Sequence, residues 1–222
     1  MRDWLTYRLS DFLLFSARTY FRMFELYHRD IWPAQIVTLL VAAVVVVALV
    51  RPVRHREPVV WFALAAAWLW VGIAFHIRRY ESINWAASYF GALFSAQAVI
   101  TLVVGARSWR LGSSSASLAT DRRAGVAFLI AVALAPVAGV LTGRTWRQVE
   151  LFGLTPDATA IATVALLTFA REKRRLLLVV PLAWCGIGAA TLWALGSREA
   201  WLSVVAAVVA LASLIGRRPH AV

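Results

Sequence analysis

Long apolar runs broken by short arginine-bearing turns set the pattern of this chain. Seven can be marked, at residues 32–50, 59–76, 85–106, 124–142, 155–170, 176–195 and 200–216. Several hold 17 or more residues without a charge, about the length that crosses a ~30 Å hydrocarbon core. The pattern predicts an all-α membrane protein with about seven transmembrane helices. The turns between runs are too short for a separate soluble domain, so residues 32–222 read as one membrane domain.

Residues 1–31 follow another period. From Ser10 onward, Asp11, Arg18, Arg22, Glu25 and Arg29 fall on one narrow stripe, opposite Leu13, Tyr20, Phe24, Tyr27 and Ile31. That is an amphipathic helix, which Ser10 can cap and Asp11 suits at its positive end. Pro33 marks a corner before the first run. Two placements fit: an interfacial anchor, or a lid packed over the outer ends of the bundle.

Arginine placement bears on orientation. The turns after runs 1, 3 and 5, with the C-terminal tail, carry 13 Lys and Arg; the turns after runs 2, 4 and 6 carry 5, and the N-terminal segment adds 5 more. The positive-inside bias puts the C-terminus in the cytoplasm and the N-terminus outside. The charged stripe of the amphipathic helix opposes that reading. The net charge of +12 fits these turns meeting anionic lipid head groups rather than nucleic acid.

Composition closes several routes. Cys185 is the single cysteine, so an intrachain disulfide, an iron–sulfur cluster and a thiolate zinc site are excluded. Lys173, the only lysine, lies in a turn and offers no Schiff base to a retinal. No span carries two histidines for haem, so no cofactor is expected. Residues 1–31 lack the form of a signal peptide, and no lipidation signal is seen.

The runs also hold few ionisable groups, which argues against a proton-coupled carrier with its site at mid-membrane. Polarity collects in two turns on the outer side, Phe75-His76 through Asn84-Trp85 and Trp146 through Asp157. Glu25, His28, His76, Arg79, Tyr80, Asn84, Trp85, Glu150 and Asp157 would form a polar and aromatic wall for a small solute. Arg79 would hold an anionic group, Glu150 and Asp157 a cation or amine, and Tyr80 and Trp85 a flat apolar face. Each has a plainer role. His76 is a helix-end residue, while Trp85, Trp146 and Trp201 are belt anchors. Glu150 could pair with Arg147, and Thr155-Pro156-Asp157 is a helix start. A deeper reading starts run 5 below the surface, lining a cavity. Nothing in the spacing of Glu25, His28, His76 and Glu150 requires a metal, and no catalytic set is marked.

Trp70-Val71-Gly72-Ile73 and Trp184-Cys185-Gly186-Ile187 each precede a turn bearing Arg and Glu and then a Trp. A 3+1+3 duplication, with halves 32–106 and 155–216 joined by 107–154, is one account; chance in a Trp-rich chain is the other.

Four segments carry a resemblance. They are Tyr7-Arg8-Leu9-Ser10-Asp11-Phe12-Leu13-Leu14-Phe15-Ser16 continuing to Phe24-Glu25-Leu26-Tyr27; Phe75-His76 through Arg79-Tyr80 to Ile83-Asn84-Trp85-Ala86-Ala87; Glu150-Leu151-Phe152-Gly153-Leu154 to Pro156-Asp157; and Trp184-Cys185 to Thr191-Leu192-Trp193. Together they resemble a bacterial family of small multi-span inner-membrane proteins known as a domain of unknown function. Ala158 stands where that resemblance leads one to expect a second proline. The resemblance implies a multi-pass inner-membrane protein and says nothing of substrate. The leading expectation is a permease-like transporter or channel with membrane lipids around it. The rivals are a non-transporting sensor or assembly partner, as a homo-oligomer or with a second membrane protein, and a membrane-embedded enzyme.

Overall fold

The computed structural model describes residues 13–51, 55–111, 122–169 and 175–215. Among them every regular element is helical. The helices are α1 (Ala17–Asp30), α2 (Ala34–Val50), α3 (Arg56–Trp70), α4 (Ala87–Leu111), α5 (Arg122–Leu141), α6 (Pro156–Phe169), α7 (Arg175–Ala194) and α8 (Ala200–Ile215). Each of the seven apolar runs becomes one helix, α2 to α8. Their lengths are unequal: Arg56–Ser82, Ala87–Arg110, Arg122–Leu141 and Leu176–Ala194 are long and apolar enough to cross a membrane, while Pro156–Thr168 and Ala200–Ile215 are shorter. Large aliphatic side chains on α2, α4, α5, α7 and α8 point outward, Leu40, Val99, Ile130, Val179 and Val208 among them. A water-soluble surface does not carry such a belt; a bilayer-facing one does.

The N-terminal helix starts later than its charge stripe predicts. Residues 13–16 are not helical, and the cap is Ser16, whose Oγ accepts from the Thr19 amide at 3.2 Å; Ser10 and Asp11 lie outside the described residues. Phe15, just before the cap, stacks on Tyr20 at 5.6 Å, a hydrophobic staple that fixes where the chain enters the helix. The α1 and α2 axes meet at 87° around Pro33. Tyr20, Met23, Phe24, Tyr27 and His28 are all buried, so α1 lies on the bundle as a lid.

At its end α3 changes winding. Val71–Ile77 forms a π-helical turn, closed by the Arg78 amide on the Ile73 carbonyl at 3.0 Å. The backbone there presses on α4. A methyl on Gly72 would meet the Gly91 carbonyl oxygen at 3.1 Å, and one on Gly91 would meet Ile77 Cγ1 at 2.6 Å. By contrast Gly186, its counterpart in the second Trp-x-Gly hairpin, has nothing within 4 Å. The two hairpins therefore differ locally.

Helix α6 is the inner rod. Every side chain from Pro156 to Val164 is buried, against α5, α7, α8 and α3. At 14 residues it is ~21 Å long, and the segment before it drops inward to meet it. In that segment Val149, Glu150, Phe152, Leu154 and Thr155 are buried. Irregular backbone is tolerated inside a membrane protein only where protein groups satisfy it, and here they do. Tyr27 Oη donates to the Leu154 carbonyl at 3.0 Å, and the Thr38 hydroxyl donates to the Phe152 carbonyl. His28 Nδ1 donates to the Arg147 carbonyl at 2.9 Å. The Leu151 and Gly153 amides donate to the hydroxyls of Thr155 and Thr159, each at 2.9 Å. Gly153 takes a left-handed φ of +76°, which a glycine adopts without strain.

Candidate functional site

The inward segment carries a carboxylate to the head of α6. Glu150 Oε2 accepts from the amides of Asp157 at 3.1 Å and Ala158 at 3.2 Å. It thus caps α6 from six residues upstream, where the helix dipole favours a negative group. Asp157, in the first turn, receives the Trp184 indole N–H at 2.6 Å. α7 comes this close because residue 188 is glycine: a methyl there would run into the Asp157 carboxylate.

A third carboxylate closes the group from the α7–α8 turn. Glu199 Oε1 lies 2.8 Å from Arg144 Nε and accepts from the Thr142 hydroxyl at 2.6 Å. The Arg144 guanidinium in turn lies 4.0 Å over the ring of Phe21 on α1. Glu150, Asp157, Glu199, Ser203 and the apolar Ala135, Ile161, Leu192 and Leu202 surround a hollow of about 10 Å³, the size of one water. Among the described residues Glu150 Oε1 and Asp157 Oδ2 have no hydrogen-bond partner by geometry. Three carboxyls thus share one guanidinium in a buried space, and low dielectric disfavours that much negative charge. Burial first, and the charge of Asp157 second, push the Glu150 carboxyl well above the usual carboxylate range, against the pull of Arg144. Burial therefore favours the protonated form of Glu150.

From Asp157 the polar line continues through Trp184 to His76, whose ring lies 4.9 Å from the indole. His76 is fully buried, and among the described residues neither ring nitrogen has a hydrogen-bond partner. Phe75, Phe90, Phe94 and Tyr80 complete an aromatic box around it, with centroids 4.5–6.0 Å away. Tyr80 also touches Tyr20 of the lid at 6.0 Å. His76 and Asp157 therefore meet at Trp184, with Tyr80 packed on His76 and Glu150 bonded to the Asp157 amide, as a packed seam rather than an open wall.

The remaining predicted residues lie elsewhere. Glu25 pairs with Arg22 at 2.7 Å on the outer side of α1. Arg79 pairs with Asp30 at 2.8 Å, tying the lid to the α3–α4 turn. Asn84 Oδ1 accepts from the Ala86 amide at 3.1 Å, shaping that turn, and Trp85 is 67% exposed. His28 is a strut for the inward segment. Among the described residues no group of three or more His, Cys, Asp or Glu could hold a metal. Arg144, Glu199, Thr142, Trp184 and Gly188 were not marked by the sequence as a group.

A hollow of about 850 Å³ is an apolar groove along α5, α6 and α8 with Arg122 and Arg123 among its lining residues. It belongs to the outward belt rather than to this chemistry. A second polar hollow, about 620 Å³, opens at the α1–α2 corner among His28, Arg29, Trp32, Gln35, Trp146, Arg147, Val149 and Leu151.

A model of a family of unknown function, DUF6064, matches residues 17–221. The chain belongs to that family. The match opens at the first residue of α1, so lid and bundle together form the family unit, whereas Tyr7–Ser16 of the sequence motif precedes it. No curated protein and no solved structure matches the chain.

Proposed function

We propose that this is a small permease-like protein of a bacterial inner membrane, multi-pass, with its N-terminus outside and its C-terminus cytoplasmic. In this reading the acid cluster beneath α1 holds a proton and releases it when the lid lifts to admit a solute. The observation that carries it is the excess of buried carboxyls, Glu150, Asp157 and Glu199 against Arg144 alone. Ionisable groups inside a membrane protein are expensive and mark proton or ion paths. A hollow the size of one water suits a proton or water and excludes a solute, so passage requires α1 to move. The means are present: an aromatic face resting on the bundle, a corner at Pro33, and a cation–π contact from Arg144 to Phe21 that ties the cluster to the lid.

Proteoliposomes loaded with a pH-sensitive dye and screened with small polar solutes test this. A solute that drives proton movement through the wild-type protein should fail to do so through Glu150→Gln or Asp157→Asn protein of unchanged melting temperature. Equal proton movement through both variants would sink the proposal. In this reading the aromatic face of α1 serves as the lid's inner surface: Tyr20, Phe24 and Tyr27 are all buried.

A further inference from the structure

The hollow at the α1–α2 corner lies apart from the acid cluster and has its own hydrogen-bonding character. Arg29 and Arg147 line it, and among the described residues neither has a carboxylate within ion-pair distance. Arg147 stacks on Trp146 at 4.8 Å, which holds a guanidinium while leaving its N–H edges free. Trp32 also lines the hollow.

A buried histidine and a half-buried glutamine, His28 and Gln35, complete the polar part of the lining. A carbonyl can only accept, so His28 Nδ1, bonded to the Arg147 carbonyl at 2.9 Å, carries the ring proton and Nε2 is a bare acceptor. Gln35 spends its amide N–H on the His28 carbonyl at 2.7 Å, which leaves Oε1 as an acceptor. Among the described residues both Nε2 and Oε1 are without partners. Buried acceptors without donors are costly, so this hollow offers donors from two arginines and acceptors from His28 and Gln35.

We infer that the corner hollow is a binding site for a phosphoryl anion that also carries a hydroxyl. The anionic oxygens meet Arg29 and Arg147 through charge-assisted hydrogen bonds, and the hydroxyl donates to His28 Nε2 or Gln35 Oε1. A fully deprotonated oxyanion such as sulfate meets the arginines equally well but sets an oxygen lone pair against those acceptors, so it binds less tightly. The chemistry is shared by inorganic phosphate and by a phosphatidylglycerol headgroup.

The test uses the full chain with ¹⁵N-labelled histidine, and reads the His28 Nε2 resonance and binding calorimetry. One arm titrates inorganic phosphate, with sulfate as comparison, in an uncharged detergent. The other compares nanodiscs of phosphatidylcholine with nanodiscs containing phosphatidylglycerol. A shift of His28 with phosphate assigns a soluble ligand, and a shift only with phosphatidylglycerol assigns a lipid. In either case binding should weaken roughly tenfold or more in Arg29→Gln/Arg147→Gln protein, and phosphate should exceed sulfate. Both arginines are exposed, so the fold should hold; Gln35→Leu, which keeps the arginines, should narrow the phosphate-over-sulfate preference. No shift in either arm, or equal affinity in wild type and the double arginine variant, overturns the inference. The outcome is independent of whether any solute crosses the membrane.

Discussion

Single residues decide whether the acid cluster can exist. Gly188 is the clearest, because any side chain at that position enters the space of the Asp157 carboxylate. Gly188→Ala should lower stability by about 1–3 kcal/mol, the usual cost of overpacking, with loss of the Trp184–Asp157 hydrogen bond. Gly186→Ala, two residues away and facing open space, should be neutral or slightly stabilising in the same helix. Paired thermal melts check both.

Glu150 makes a pH-dependent prediction. Its carboxyl is raised by burial and by Asp157, so the folded protein binds the proton more tightly than the unfolded chain does. The stability this supplies is complete below the unfolded value of about 4.3, and is lost as pH rises through the raised folded value. Wild-type protein should therefore lose stability as pH rises from the ordinary carboxylate range through that raised value. Glu150→Gln keeps an oxygen for the Asp157 and Ala158 amides and removes the titration, so its stability should vary less over that window. Melting temperatures of the two proteins across pH 5–8 would show a shared slope if the idea is wrong.

Among the elements, the inward segment before α6 matters most, because its backbone depends on side chains from two other helices. Tyr27 both donates to the Leu154 carbonyl and accepts from the Trp70 indole at 2.9 Å. Tyr27→Phe should cost about 1–3 kcal/mol, the price of leaving buried groups unpaired. Hydrogen exchange should then rise first at residues 149–155, whereas uniform acceleration across the bundle would contradict the strut role. Those ties are what sequence reading could not reach. The apolar runs announced α2 to α8, since lipid-facing helices need little beyond length and hydrophobicity. Glu150-Leu151-Phe152-Gly153 reads locally as a polar turn, and nothing local says that it descends into the protein. Arg144 and Glu199 looked like turn charges for the same reason: they are 55 residues apart in the sequence and meet only after α5 and α8 flank α6. The start of α6 at Pro156 was legible, as was the aromatic face of α1, but the cap of α6 was not: the Thr155 hydroxyl bonds back to Leu151 and Glu150 takes the Asp157 and Ala158 amides. The true start of α1 was not legible, because Ser10 and Ser16 are both competent caps and only the staple of Phe15 on Tyr20 separates them.

For the whole molecule, the short rod at its centre has a mechanical consequence. Hydrophobic mismatch acts on helices that touch lipid, through tilt and local bilayer strain. α6 is walled by protein along nearly its full length, so bilayer thickness cannot set its height directly. Thinning or thickening the membrane instead tilts the outer helices around a fixed axle. The carboxyls at the head of that axle would feel the change as a shear between α6 and its neighbours α7 and α8, which supply Trp184 and Ser203.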